Sequence, residues 1–247
     1  MDVVGDILAR DRRSRDVALV TPDERERTYR DLITNGYKSA NVLRYLGARE
    51  GSTVAVEPAP GLHTTLAFLG AAALGAPVRF DPETGIARGD RVVLVDVADE
   101  STTEPAPGTG LAAFGGPPER PETTHWEQEL WSENPGMPPS GVGPDDIVLR
   151  ETDGEGPDRS GSVTHRALLD AAASVAGEHG LEPGDSVTLR GDLSDPRALA
   201  AGLVAPLAAG ATSVLVGEET DNGEPTVTVE REDGGSRRVA LPALGER

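Results

Sequence analysis

The chain has 247 residues and a mass of 25.7 kDa, which is enough for one large domain or two small ones. It carries 42 acidic against 23 basic residues, a formal net charge of −19, and Lys38 is its only lysine. Because a nucleic-acid backbone would repel such a chain, we expect no nucleic-acid partner. No apolar run reaches the roughly 18 residues of a membrane helix, and the start lacks the basic residues of a signal peptide. The sequence therefore predicts a cytoplasmic protein without membrane contact.

The charge composition also predicts a halophilic protein, because dense carboxylates with little lysine keep a surface hydrated in molar salt. The alternative is an acidic surface that serves one basic partner. Cysteine is absent, which excludes disulfides and thiolate metal sites, and the four histidines have no paired spacing. We expect no metal site.

A weak internal repeat divides the sequence and decides how its elements are interpreted. Three segments return with offsets of 136, 133 and 135 residues. The pairs are Thr28-Tyr29-Arg30-Asp31-Leu32-Ile33 with Thr164-His165-Arg166-Ala167-Leu168-Leu169, Gly51-Ser52-Thr53-Val54 with Gly184-Asp185-Ser186-Val187, and Ala73-Leu74-Gly75-Ala76 with Ala208-Ala209-Gly210-Ala211. Each copy predicts helix, strand, helix and strand in that order, with a Thr as the N-cap of the first helix.

Taken in chain order, the predicted strands are separated by helical segments. They are Val54 to Val56, Pro77 to Phe80, Arg91 to Val97, Asp146 to Arg150, Val187 to Leu189 and Thr212 to Val216. Strands separated in this way imply parallel pairing with right-handed crossovers. The predicted fold class is therefore α/β, with two pseudo-repeated helix-strand-helix-strand units and mostly parallel sheets.

Composition suggests four segments. Residues 1–100 and 145–217 are the predicted first and second α/β subdomains, and 101–144 is a predicted linker, since 9 Pro and 7 Gly occur in residues 101–145. Within that linker we expect one short helical turn from Trp126 to Trp131 that docks both Trp side chains as a hydrophobic anchor. Residues 218–247 are a predicted C-terminal hairpin or flap, because Val and Leu alternate on both sides of Asp233-Gly234-Gly235.

Residues 1–100 and 145–217 resemble the opening half of the AMP-forming adenylating enzymes, which include the acyl-CoA synthetases. The resemblance rests on short motifs in the family's order and spacing. They are Gly51-Ser52-Thr53-Val54-Ala55-Val56, Phe80-Asp81-Pro82, Thr164-His165-Arg166-Ala167-Leu168-Leu169, Gly184-Asp185-Ser186-Val187 and Ala205-Pro206-Leu207-Ala208-Ala209-Gly210-Ala211. The family itself carries this pseudo-repeat in its two large subdomains, so the resemblance implies the same fold.

The sequence also departs from the family's pattern. Family members are much longer, and the Gly-x-Thr-Glu motif for adenine and Mg²⁺, the Thr-Gly-Asp motif for ribose and the C-terminal adenylation Lys have no counterpart here. The family's phosphate-binding loop reads Thr-Ser-Gly-Thr-Thr-Gly-x-Pro-Lys-Gly. Here it reads Glu151-Thr152-Asp153-Gly154-Glu155-Gly156-Pro157-Asp158-Arg159-Ser160, which places four carboxylates around one Arg. The resemblance therefore implies a truncated, degenerate homologue.

Several side chains are candidates for chemistry. The resemblance implies a degenerate phosphate loop with Thr152, Gly154, Gly156, Arg159 and Ser160 as cofactor-binding residues, and weak binding of ATP, AMP or an acyl-CoA. The simpler interpretation of Arg159 is neutralisation by its own loop acids. His165 stands where the repeat has Tyr29, which favours a structural role. Glu127 and Glu129 could be proposed as acid and base, but in this acidic chain such pairs arise by chance. We expect no catalytic residue.

Three functions follow from the resemblance. The first is a non-catalytic pseudoenzyme with a binding or regulatory role, whose expected partner is a second copy or a full-length relative. The second is an active AMP-forming carboxylate-CoA ligase, which the missing motifs disfavour. The third is a structural remnant without a ligand.

Overall fold

A computed structural model describes residues 1–82, 89–150, 161–217, 224–231 and 234–244. The strands are Val17–Val20 (β1), Glu26–Thr28 (β2), Thr53–Val56 (β3), Val78–Arg79 (β4), Asp90–Asp96 (β5), Gly110–Phe114 (β6), Thr124–His125 (β7), Ile147–Arg150 (β8), Ser162–Thr164 (β9), Ser186–Arg190 (β10), Thr212–Val216 (β11), Thr226–Glu230 (β12) and Ser236–Val239 (β13). The helices are Tyr29–Tyr45 (α1), Leu62–Leu74 (α2), Trp126–Ser132 (α3), His165–His179 (α4), Pro196–Leu199 (α5) and Ala205–Ala209 (α6). Shorter 3₁₀ turns span Val4–Leu8, Arg10–Arg12 and Val97–Thr102, and a π-helical turn spans Ala200–Val204.

The strands form two mixed sheets that are mostly parallel in their centres. One has six strands in the order β13-β12-β10-β11-β1-β2, and the other has seven in the order β7-β6-β5-β3-β4-β8-β9. In the six-stranded sheet β10, β11 and β1 are parallel, and in the seven-stranded sheet β7, β6, β5, β3, β4 and β8 are parallel. The predicted α/β fold class is confirmed.

The two repeat units occupy equivalent positions in different sheets. In the first unit β3 pairs in parallel with β4, and in the second β10 pairs in parallel with β11. The hairpin that precedes each unit lies in the sheet of the other unit. The hairpin of β1 and β2 precedes the first unit, but β1 pairs with β11 of the second; the hairpin of β8 and β9 precedes the second unit, but β8 pairs with β4 of the first. Since each sheet is completed by strands from both halves of the chain, the two units are interleaved.

Matched caps fix the same local path in both units. The Thr28 hydroxyl oxygen accepts a hydrogen bond from the Asp31 N–H at the start of α1, and the Thr164 hydroxyl oxygen accepts one from the Ala167 N–H at the start of α4. The second helix of each unit ends at a glycine in the left-handed region, Gly75 with φ of 72° and Gly210 with φ of 83°. The predicted helix starts and glycine ends are therefore present.

The second helix differs between the units because of Pro206. Proline has no N–H, so it cannot bond to the carbonyl one turn earlier, at Gly202. The Ser213 hydroxyl on β11 donates to that carbonyl instead, at 2.7 Å. The π-helical turn Ala200–Val204 lies directly before this proline, and it accommodates one more residue than the regular helix α2.

Helix α2 is buried along its whole length except for its first two residues, which explains its unusual composition. Ala67, Ala71 and Ala72 are fully buried between helix α1 and the seven-stranded sheet. Small side chains let the helices approach closely, and the largest buried groups around them are Phe68 and Trp126. The larger hydrophobic core includes residues of both sheets, and a smaller cluster of Ala55, Val93, Val95 and Leu111 lies in the seven-stranded sheet.

Residues 101–144 contain structure that their composition did not predict. Strand β6 pairs with β5 along five residues, from Val92 opposite Gly110 to Asp96 opposite Phe114, and β7 pairs with β6. Helix α3 follows, but only one of its two Trp side chains docks: Trp126 is fully buried, whereas Trp131 is 88% exposed. The expectation that both dock is corrected, because residues five apart on a helix point in different directions.

Near the C-terminus β12 and β13 pair with each other in antiparallel orientation, and β12 pairs with β10. In the part of the chain that the structure describes, no helix has the length and hydrophobicity needed to cross a membrane.

Candidate functional site

The carboxyl ends of the parallel strands in the two sheets meet at one junction. The N–H of Leu193, which follows β10, donates to the carbonyl of Pro58, which follows β3, at 2.9 Å. Gly217, after β11, lies against Pro22, after β1, and Pro60: a Cβ atom at Gly217 would lie 3.8 Å from both prolines. In open α/β sheets, ligands bind beyond the carboxyl ends of the strands. We call this region the strand-end junction, and it is the candidate site.

The predicted phosphate loop begins directly after Arg150, the last residue of β8. Its proposed binding residues, Thr152, Gly154, Gly156, Arg159 and Ser160, lie outside the described residues, so the phosphate loop stays a prediction. Arg150 itself turns away from the junction. Its guanidinium donates to Thr53 Oγ1 at 2.8 Å and to the Gly51 carbonyl at 3.3 Å, and both residues stand at the amino end of β3.

A cluster of two histidines and one glutamate lies at the ends of β3, β6 and β7. The Glu127 carboxylate accepts a hydrogen bond from the Gly115 N–H at 2.6 Å. His63 Nε2 lies 3.5 Å from Glu127 Oε1, and His125 Nε2 lies 3.5 Å from Glu127 Oε2. The His63 ring packs on Phe114 with a centroid distance of 5.4 Å. Two imidazoles therefore flank one carboxylate, an arrangement that can hold a proton or bind a cationic group.

Burial lowers the pKa of His63, and the nearby Glu127 carboxylate opposes that shift. Since the usual pKa of histidine is about 6.5, a lowered value keeps this imidazole neutral at pH 7. A second carboxylate lies close by, where Glu57 Oε2 accepts a hydrogen bond from the Asp96 N–H at 2.6 Å.

Two arginines near the junction are engaged with carboxylates of the same chain. Arg25 lies 3.1 Å from Asp23 on the β1–β2 turn, and Arg197 lies 2.7 Å from Asp195 at the start of α5. Arg79 of β4 extends toward the opposite edge of the sheet, where it forms a buried ion pair at 2.6 Å with Asp90, the first residue of β5. Because these charges are already compensated, they offer little attraction to a polyphosphate.

His165 has a structural position. Its side chain is fully buried, and its Nδ1 accepts a hydrogen bond from the Val4 N–H at 3.1 Å. Burial lowers its pKa to about 4. The repeat partner Tyr29 is also buried, and its hydroxyl donates to the Ala211 carbonyl at 2.7 Å. Both side chains therefore anchor the start of a helix, as the repeat indicated.

The sequence did not predict the cluster of His63, His125 and Glu127. The proposed pair of Glu127 and Glu129 is not brought together, because residues two apart on a helix do not face each other. The neighbouring His125 and Glu127 could have been recognised as a local pair, but His63 comes from a distant segment. Among the residues that the structure describes, no group of three or more His, Asp or Glu side chains is arranged to hold a metal ion.

Comparisons with known proteins identify the fold. No protein-family model matches the sequence, and no curated protein matches it. Many solved structures do match in fold. The anthranilate CoA ligase AuaEII, solved with anthranoyl-AMP, superposes with a TM-score of 0.71 and 22% identity over 87% of this chain and 45% of that chain.

Two further structures give the same result. The N-terminal domain of FACL13 from Mycobacterium tuberculosis has a TM-score of 0.71 and 20% identity, over 88% of this chain and 58% of that chain. A benzoate CoA ligase from Burkholderia xenovorans LB400 has a TM-score of 0.71 and 21% identity, over 89% of this chain and 46% of that chain. The chain thus has the fold of the N-terminal domain of acyl-CoA synthetases and spans about half of these proteins.

Proposed function

We propose that this protein is an acyl-CoA synthetase-like pseudoenzyme, which does not adenylate carboxylates and has a binding or regulatory role. The observation that carries the proposal is the charge at the strand-end junction. Arg25 and Arg197 are paired with aspartates there, and Glu127 adds a carboxylate between two histidines. The adjoining loop sequence adds Glu151, Asp153, Glu155 and Asp158 around Arg159.

The chemistry of adenylation explains why this charge matters. Joining a carboxylate to the α-phosphate of ATP expels pyrophosphate, and the developing negative charge must be met by preorganised donors and cations. Removing one such donor costs several kcal/mol in the transition state, so a site of carboxylates and compensated arginines is poorly suited to the step. A neutral or weakly charged acyl group does not require this compensation.

We further propose that the protein is halophilic and cytoplasmic. Its proposed ligand is an acyl group or a nucleotide, and its proposed partner is a second copy or a full-length relative. The net charge of −19 and the absence of cysteine support the salt-adapted surface and the reducing compartment. An active ligase and a remnant without a ligand are the two alternatives, and one experiment separates all three.

The experiment combines catalysis with binding in about 2 M KCl, where screening is nearly complete. We expect no carboxylate-dependent exchange of labelled pyrophosphate into ATP with acetate, medium-chain or aryl acids. We expect a rise in melting temperature with AMP, CoA or an acyl-CoA, because a ligand that binds the folded state stabilises it by RT ln(1 + [L]/Kd). Exchange that is abolished in Arg159→Ala would establish the ligase instead. No thermal shift with any ligand would favour the remnant.

A further inference from the structure

Four arginines gather around the turn that joins α1 to β3, at the edge of the seven-stranded sheet opposite the strand-end junction. Arg49 donates to the carbonyls of Arg44 and Ala48, at 2.5 and 2.6 Å. Arg91 packs over Gly47, where a Cβ atom would lie 3.2 Å from its Cδ. Arg150 donates to the Gly51 carbonyl at 3.3 Å. Arg44 is exposed on the last turn of α1.

These four arginines differ in their partners from five other arginines of the described residues. Arg25, Arg79, Arg166, Arg197 and Arg231 each lie within 4 Å of an aspartate, at distances between 2.6 and 3.5 Å. Within the described residues, Arg44, Arg49, Arg91 and Arg150 form no ion pair, and their hydrogen bonds go to carbonyl and hydroxyl oxygens. Capping of helix α1 explains why cations stand at its carboxyl end. It does not neutralise them, so a local positive surface remains on a chain of net charge −19.

A partly apolar groove adjoins this positive surface. It has a volume of about 450 Å³ and lies between the carboxyl ends of α1 and α2 and the segment 139–141. Ala48, Leu74 and Pro139 supply its apolar lining, and two arginines, Arg44 and Arg49, outnumber its one carboxylate, Glu50. The neighbouring Tyr45 side chain is 77% exposed, in a protein whose aromatic residues make up only 3% of the sequence. The surface therefore combines guanidinium groups that form no ion pair within the described residues with a partly apolar groove and an exposed aromatic ring.

We propose that this surface, formed by Arg44, Tyr45, Arg49, Arg91, Arg150 and the adjoining groove, docks an acidic segment of a partner protein. Guanidinium groups bind carboxylates through paired hydrogen bonds, and aromatic and Arg side chains are enriched where protein partners meet. An apolar side chain between the partner's acidic residues fits the groove. A nucleic acid fits less well, because the acidic remainder of the chain repels a long polyanion whereas a short acidic segment contacts only the local arginines.

The test uses the full chain and a labelled synthetic peptide of alternating Asp and Leu residues. The matched control peptide has Asn in place of Asp. We expect saturable binding of the acidic peptide only, measured by fluorescence anisotropy at about 0.15 M KCl, where charges beyond a Debye length of roughly 8 Å are screened. Equal binding of both peptides, or no binding of either, would overturn the proposal.

Two variants localise the binding. Arg44→Glu reverses one charge in the surface without removing a side-chain hydrogen bond seen in the structure, and we expect at least tenfold weaker binding. Arg30→Glu makes the same change at the exposed first turn of α1 and should alter the affinity less than twofold. Tyr45→Ala should weaken binding severalfold without changing the melting temperature. Equal loss in Arg30→Glu and Arg44→Glu, or tighter binding of a single-stranded oligonucleotide than of the acidic peptide, would contradict an acidic protein partner.

Discussion

The two repeat units, residues 28–80 and 164–216, share one backbone plan but differ in the loop that precedes each of them. The turn between β1 and β2 spans residues 21–25, whereas the connection between β8 and β9 spans residues 151–161. Both follow a strand whose carboxyl end lies at the edge where α/β proteins bind ligands. The scaffold is therefore repeated, and the candidate binding loop is specific to the second unit.

The short turn shows what the scaffold needs by itself. The Thr21 hydroxyl oxygen contacts Asp23, and the Thr21 N–H donates to the Arg25 carbonyl at 3.1 Å, so local hydrogen bonds close the turn. Arg25 is neutralised by Asp23. The short turn shows that the scaffold does not need the longer sequence that follows Arg150. Four residues of that longer sequence are acidic. The second unit therefore has, at the equivalent position, a longer and more acidic sequence that includes Glu151, Asp153, Glu155 and Asp158.

The largest expected effect comes from the close contacts of the second helix in each unit. A Cβ atom at Gly70 would lie 2.6 Å from Ser39 Oγ and 2.8 Å from the backbone N of Ala40. At Gly202 it would lie 2.7 Å from Leu189 Cβ. Overpacking lowers the free energy of unfolding by about 1 to 3 kcal/mol. We expect a loss of about 3 kcal/mol for Gly70→Ala. For Gly202→Ala we expect about 2 kcal/mol, because the nearest atom belongs to a side chain that can shift. Urea unfolding in high salt measures both.

Gly177 on α4 provides the matched control, since a Cβ atom there would meet no atom within 4 Å. Ala favours a helix over Gly by about 1 kcal/mol, so Gly177→Ala should be neutral or stabilising. A Gly70→Ala variant as stable as the wild type would contradict the close contact between α2 and α1.

The sequence predicted what is encoded locally. Thr28 and Thr164 predicted helix starts, Gly75 and Gly210 predicted helix ends, and runs of Val predicted β3, β5 and β10, because caps, turns and periodicity act within a few residues. The repeat supplied the fold class, since it shows one supersecondary unit used twice. All of these features depend on neighbours in the chain.

Features that depend on distant residues were not predicted. Strand β6 consists of Gly, Leu, Ala, Ala and Phe and is surrounded by Pro and Gly, so only its pairing with β5 identifies it as a strand. The exchange of hairpins between the sheets leaves no local pattern. The cluster at Glu127 depends on His63, which belongs to a different helix. Tertiary contact rather than local preference decides each of these cases.

The second prediction concerns pH, because the two units carry different residues at the start of their first helix. Burial lowers the pKa of His165 to about 4, below its unfolded value of about 6.5. Between these values the unfolded chain binds a proton that the folded chain does not, so stability falls as the pH falls from 6.5 to 4. The pKa shift corresponds to a loss of about 3 kcal/mol in the free energy of unfolding over this pH range. We expect the His165→Leu variant to lack this loss.

Tyr29 acts at the opposite end of the pH range. Burial raises the pKa of its hydroxyl above the usual 10. Only the unfolded chain ionises above that pH, so stability falls as the pH rises. The Tyr29→Phe variant should lose less stability than the wild type at alkaline pH, and its stability below about pH 6.5 should depend on pH as in the wild type. At pH 7 its free energy of unfolding should be lower by about 1 kcal/mol, because the hydrogen bond to the Ala211 carbonyl is lost. Denaturant titrations at several pH values measure the stability in both ranges, and an acid pH dependence that changes equally in the two variants would refute the assignment to His165.

The smallest effect separates the two N-caps. Thr28 and Thr164 each accept a hydrogen bond from the N–H three residues ahead, so replacing either by Ala should cost about 1 kcal/mol. Only the first unit has a capping box, in which the side chain three residues into the helix bonds back to the N-cap N–H. There Asp31 Oδ2 accepts a hydrogen bond from the Thr28 N–H at 3.2 Å, whereas Ala167 stands at the matching position in the second unit. We expect Asp31→Ala to cost about 0.5 kcal/mol alone and less in the presence of Thr28→Ala, because the two side chains share one network. Additive losses in that double-mutant cycle would mean that Thr28 and Asp31 cap α1 independently and do not form one network.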